Sequence, residues 1–248
     1  MLVFRVERLA LAALATTAFS ATPQAPQSSE TLSFHVEWRL IHAGDARLVW
    51  SPSASGGFAA HLHLQSAGLV SKLYRVDNDY ASQLSGELCV ASSRLETHEG
   101  SRRRETKVTF DSERRKASLV DRDLVSGVTV SREIDIQSCE HDVVGALYRL
   151  RAMRLEPGHT VELPISDGKK AVMAKVEAQE RETIKTDFGT YRTIRYEAFL
   201  FNNVLYRRRG RLLLWLTDDD RRLPVQVRVR LPFYIGTVTL QLEKDGKA

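Results

Sequence analysis

The chain has 248 residues, 43% hydrophobic and 27% charged, the make-up of an ordinary folded protein with enough length to bury a core. Its formal charge of +5 arises from 36 basic and 31 acidic residues mixed along the sequence. Nucleic-acid binding calls for a concentrated basic patch, so this balance argues against it.

At the N-terminus, Arg5 and Arg8 precede the apolar run Leu9–Phe19, and Ala18 and Ser20 stand at the −3 and −1 positions of a cleavage site before Ala21. This is the layout of a secretory signal peptide, predicted to span residues 1–20 and to be cleaved after Ser20. A run this short does not cross a hydrocarbon core of ~30 Å as a helix rising ~1.5 Å per residue. Retention as an uncleaved anchor is the alternative. No later segment is long and apolar enough to span a membrane, so a periplasmic or secreted protein is expected. In an oxidising compartment, Cys89 and Cys139 are expected to form a disulfide, and closing that loop would restrict the unfolded chain by ~4 kcal/mol. Two separate buried thiols are the alternative reading.

Residues 21–30 are rich in Pro, Ser and Gln and read as a disordered lead-in. A β-rich domain is then expected over 31–245. Phe34, Val36 and Trp38 alternate with polar residues, Ala43-Gly44-Asp45 reads as a turn, and Ala46–Trp50 as the return strand. Phe58–Leu64 alternates again. The segment 66–76 fits a short helix or a bulged strand. Four further strands are expected at Tyr80–Leu84, Leu88–Leu95, Arg102–Phe110 and Lys116–Asp121. Asp142–Met153 is the clearest helix, with Asp142 as N-cap and Glu156-Pro157-Gly158 as its stop. Beyond it, Thr160–Ile165, Lys170–Gln179, Glu182–Thr186, Tyr191–Phe201 and Leu205–Leu216 read as strands, with turns at Asp167-Gly168 and Phe188-Gly189. The fold class predicted is mainly β: one antiparallel curved sheet or open β-barrel of about a dozen strands, with one or two short helices.

The stretch 210–242 carries the plainest pattern. Val225, Val227 and Val229 alternate with Gln226, Arg228 and Arg230, which fixes one face of a strand. An apolar strand ending at Trp215, a Thr217-Asp218-Asp219 turn, a strand opened by Pro224-Val225 and a closing strand opened by Ile235-Gly236 follow one another. This order resembles the C-terminal signature of DUF3108, a family of uncharacterised exported proteins of the bacterial envelope. Gly44 after a Trp-containing run, the segment Ser71–Val76, and Asp142–Arg151 before Pro157-Gly158 agree with it, so the resemblance covers most of 32–242. Val144-Gly145-Ala146 departs from it, standing where a Ser-Ala pair would be expected. The resemblance implies an exported β protein of Gram-negative-type bacteria and supplies no catalytic residues.

Candidate chemistry is sparse. Asp218, Asp219 and Asp220 resemble an acidic metal cluster, but a Ca²⁺ loop spreads its ligands over alternate positions, and Asp is a favoured turn residue. His61 and His63 share a strand face and are weak candidates for a Zn²⁺ or Cu²⁺ site completed from elsewhere, with His35 and His42 on nearby segments. The basic runs Arg102–Arg104 and Arg207–Arg209 suit lipid phosphate or anionic polysaccharide, or simply a solvated strand edge. No nucleophile elbow or phosphate loop is present, and no cofactor is expected. Two functions are compatible with this reading. One is a binding, carrier or assembly module for a lipid, a glycan or an envelope protein, with an apolar inner face at Leu212, Leu214, Val225, Val227, Val229, Val238 and Leu240. The other is an envelope hydrolase with an acid–base pair drawn from distant strands.

Overall fold

A computed structural model describes residues 26–54 and 56–246; the expected signal peptide and the start of the lead-in lie outside the described residues. Fourteen strands and two helices are found among them. The first half holds β1 (Glu30–Trp38), β2 (Ile41–Pro52), β3 (Phe58–Ser66), α1 (Gly68–Leu73), β4 (Val76–Leu84), β5 (Val90–Glu99), β6 (Arg102–Asp111), β7 (Lys116–Asp123) and β8 (Thr129–Asp135). The second half holds α2 (Val143–Met153), β9 (Thr160–Ser166), β10 (Ala171–Thr186), β11 (Gly189–Ala198), β12 (Arg211–Thr217), β13 (Pro224–Arg230) and β14 (Thr237–Gly246).

All fourteen strands lie in one antiparallel sheet of order β8-β7-β6-β5-β4-β3-β2-β1-β14-β13-β12-β11-β10-β9. Each half is a meander of sequence neighbours, and the two are joined where β1 pairs with β14. The free edges are β8 and β9. The sheet curls until its second end meets the inner face of the first. The β9–β10 turn presses on that face so closely that a Cβ on Gly168 would lie 2.5 Å from Val108 Cγ2, and Lys169 Nζ stands 3.5 Å from Asp121. Side-chain packing, not a strand ladder, closes the structure. The β9 edge is covered at its C-terminal end: His141 donates its N–H to Pro164 O and accepts from Ser166 N–H, so these two backbone groups are not free to template another chain.

Helix α2 lies inside the curl. Asp142 caps it, accepting from the N–H of Gly145 at 2.6 Å, and it ends at Arg154 in the left-handed region, before the expected Pro-Gly stop. Its residues join both large apolar clusters, Val144 and Tyr148 with the β1–β4 side and Ala146 and Leu150 with the β9–β12 side. Tyr148 stacks on Trp50 with ring centroids 3.7 Å apart, an arrangement worth about 0.5–1.5 kcal/mol beyond area burial. The Arg151 guanidinium, almost fully buried, forms two hydrogen bonds with the Glu30 carboxylate at 2.6 and 2.9 Å.

Several expectations are corrected. Residues 43–45 lie inside β2, and the reversal comes earlier, at Arg39 and Leu40, both with positive φ. Gly44 is needed because β3 runs against it: a Cβ there would sit 2.1 Å from Gln65 O. The two strands expected at 170–186 are one, β10, bent by an irregularity between Ala178 and Arg181. Residues 199–210 form a loop that hydrogen-bonds to itself, not parts of two strands. Strand β8 was not anticipated, since its pattern is almost wholly exposed. Segment 66–76 holds helix α1, and Glu30, assigned to the lead-in, opens β1.

Candidate functional site

Register places Leu212 and Leu214 of β12 opposite Val229 and Val227 of β13, and Val227 and Val229 opposite Leu240 and Val238 of β14, so six of the seven expected inner-face residues share one face. Five of them, all but Val238, line a cavity of about 370 Å³ between the sheet and α2. Phe34, Leu48 and Leu62 continue the wall across β1–β3, while Val143, Leu147 and Leu150 of α2 form the facing side. The loop at 199–210 adds Phe201 and Tyr206. Val225 and Val238 do not line it. An irregularity between Trp215 and Leu216 pairs Leu216 with Pro224, so Pro224 takes the lining position and Val225 is buried elsewhere.

The lining is apolar apart from the hydroxyls of Tyr196 and Tyr206, and includes no carboxylate or imidazole. The Tyr196 hydroxyl donates to Leu155 O at 2.8 Å and also meets Arg222, so it is held in place. Burial pushes both of these tyrosines above the ordinary phenol range, keeping them neutral.

A buried polar knot fixes the helix entrance, and only its cap is legible in the sequence. The hydroxyls of Tyr80 (2.7 Å) and Ser82 both donate to Asp142 Oδ2, while His141 Nδ1 lies 2.8 Å from Leu88 O. Burial holds the His141 imidazole below its usual value. Glu140 is pushed up by burial, and its Oε1 has no hydrogen-bond partner. The Cys89–Cys139 disulfide, with Cα atoms 4.9 Å apart, ties this segment to the β4–β5 turn.

The remaining candidates lie elsewhere. The Asp triplet forms a turn in which Asp219 Oδ1 accepts from Thr217 Oγ1 and from the N–H groups of Arg221 and Arg222. Arg102–Arg104 and Arg207–Arg209 are all exposed, and of the first three Arg104 holds the buried Asp121 at 2.6 Å. His61 and His63 face outward from β3, opposite the cavity. The structure brings to them Asp77 and Asp79 of β4, partners that the sequence does not signal. A second outer feature, a groove of about 390 Å³ along β10–β13, is lined mostly by polar and charged groups, among them Glu182, which accepts from Trp215 Nε1 at 2.8 Å.

Among solved structures, a beta-barrel-like protein of the domain of unknown function DUF1849 from Brucella abortus shares the fold. It matches with a TM-score of 0.56 and 8% identity over 89% of this chain and 98% of its own. A DUF1089 family protein from Pseudomonas aeruginosa matches at 12% identity over 86% and 95% of the two chains, with a TM-score of only 0.28 that supports no argument. No curated protein matches the sequence. The family of proteins of unknown function DUF3108 matches over residues 33–243, nearly the whole described sheet, and the chain belongs to that family.

Proposed function

We propose that this protein binds and carries an apolar molecule, such as a lipid acyl chain, outside the cytoplasm. The cavity carries the reading: about 370 Å³ of space walled by aliphatic and aromatic side chains, within the ~300–1,000 Å³ common for ligand sites. Its apolar walls favour a lipid over a glycan, whose hydroxyls would be left without partners. The disulfide supports an oxidising compartment, as does the signal-peptide layout of residues 1–20. No helix among the described residues is long and apolar enough to cross a membrane. Hydrolysis by an acid–base pair has no support in the cavity, which lacks the groups for it.

The test uses the disulfide-intact chain and a fluorescent fatty acid. The probe is expected to brighten on binding and to be displaced by unlabelled fatty acid. Val227→Trp, which fills the cavity from β13, is expected to weaken binding at least tenfold with the fold intact by circular dichroism. Equal probe binding by the filled variant would refute the carrier reading, as would no binding by the wild type.

A further inference from the structure

The outer face of β1–β5 gathers histidines and carboxylates. Paired residues share a face, so register sets His35, Asp45, Gln65, Asp77 and His98 in one row across five strands. The next row holds Arg47, His63, Asp79 and Glu96. His61 joins this face two residues before His63.

The closest grouping lies on β3 and β4. Asp79 Oδ1 is 3.0 Å from His63 Nδ1 and 3.1 Å from His61 Nε2, and His63 Nε2 is 3.8 Å from Asp77 Oδ1. Ligand atoms of His63, Asp77 and Asp79 lie within 4.8 Å of one another. A tetrahedral zinc ion with bonds of ~2.0–2.1 Å holds its ligands about 3.3–3.4 Å apart. The two His–Asp79 separations fall just short of that edge, whereas His61 stands outside the 4.8 Å group, so its half-exposed ring must swing toward His63 for the ion to seat. Adjacent hydrogen-bonded strands hold the backbone in place.

We propose that His61, His63 and Asp79 bind a late first-row divalent cation, zinc in the first instance. Asp77 Oδ1, 3.8 Å from the other His63 nitrogen, closes by a few tenths of an ångström to take up the usual carboxylate–histidine–metal arrangement. Imidazole ligands favour zinc over Mg²⁺ and Ca²⁺, which prefer all-oxygen shells. With two nitrogens and one carboxylate supplied by the protein, a fourth position is left to water or to a donor from outside. Half-exposure of His61 and Asp79 makes that position accessible. Arg47 faces His63 from β2 and Glu96 faces Asp79 from β5, so the flanking charges oppose one another. The site is separate from the cavity: Leu62, between the two histidines, points inward to line it.

The test titrates the full, chelator-stripped chain with zinc chloride by calorimetry, with magnesium and calcium chloride in parallel. One zinc per chain is expected, with no heat from the other two ions. His63→Ala and Asp79→Asn are expected to weaken zinc at least tenfold, and Asp77→Asn about tenfold, the usual effect of losing an outer-shell partner. All three substitutions lie on a partly exposed sheet face, and circular dichroism checks that each variant folds. The proposal is overturned if the wild type takes up no zinc or if binding survives both His63→Ala and Asp79→Asn. Loss only in a His35→Ala/His42→Ala variant would also overturn it, because the neighbouring His35–His42–Asp45 group would then be the site.

Discussion

Helix α2 has two unlike faces. One, with Asp142, Tyr148 and Arg151, is fastened to β4, β2 and β1 by buried hydrogen bonds, a ring stack and an ion pair. The other, with Val143, Leu147 and Leu150, looks onto the cavity. Directional contacts fix how deep the helix sits, while apolar contacts alone would let it settle until the space closed. The fastened face therefore holds the cavity open.

The largest expected effect tests that contrast directly. Tyr148→Ala removes a fully buried ring from its stack on Trp50 and is expected to cost about 3–5 kcal/mol in urea unfolding. Leu147→Ala, beside existing space, is expected to cost about 2 kcal/mol, at the low end for such truncations. Equal costs would break the distinction between the faces. Next in size, Glu30→Ala leaves the Arg151 charge buried without its partner and is expected to cost about 3 kcal/mol. Glu30→Met with Arg151→Met should recover most of that loss if the pair acts by position more than by net attraction.

The smallest effect concerns pH at the helix entrance. Burial raises Glu140, so the folded protein favours its protonated form. The stability from this group is complete below the ordinary carboxylate value of about 4.3 and is lost as pH rises through the elevated folded value. Glu140→Gln is thus expected to be more stable than wild type at pH 7, with the two urea midpoints converging below about pH 4. A constant gap across that range would show that Glu140 titrates alike in the folded and unfolded chains.

Local chemistry was legible in the sequence. Asp142 reads as a helix cap, the Asp triplet as a turn, and the Val227–Val229 alternation as an inner face, because each depends on residues a few positions apart. The two cysteines became a disulfide once export was inferred. What depends on pairing was not legible. Gly44 resembles a turn residue until β3 is laid against it. Phe199–Phe201 has strand-like apolarity, yet it lies in a loop, where Leu200 and Phe201 line the cavity. Asp77 and Asp79 are ordinary polar strand residues until register sets them beside His61 and His63. The irregularity opposite Leu216 moved Val225 out of the face that simple alternation had given it.

The pairing of β1 with β14 has a consequence for synthesis. Every other ladder joins neighbours along the chain and can form as soon as both strands are made, but Thr31–Trp38 waits for Val238–Gly246. Until then β1 and β13 each present an open row of backbone donors and acceptors, the kind of edge that recruits foreign strands. A chain that leaves the ribosome unfinished, or crosses a membrane in extended form, remains exposed at that seam until its last strand arrives.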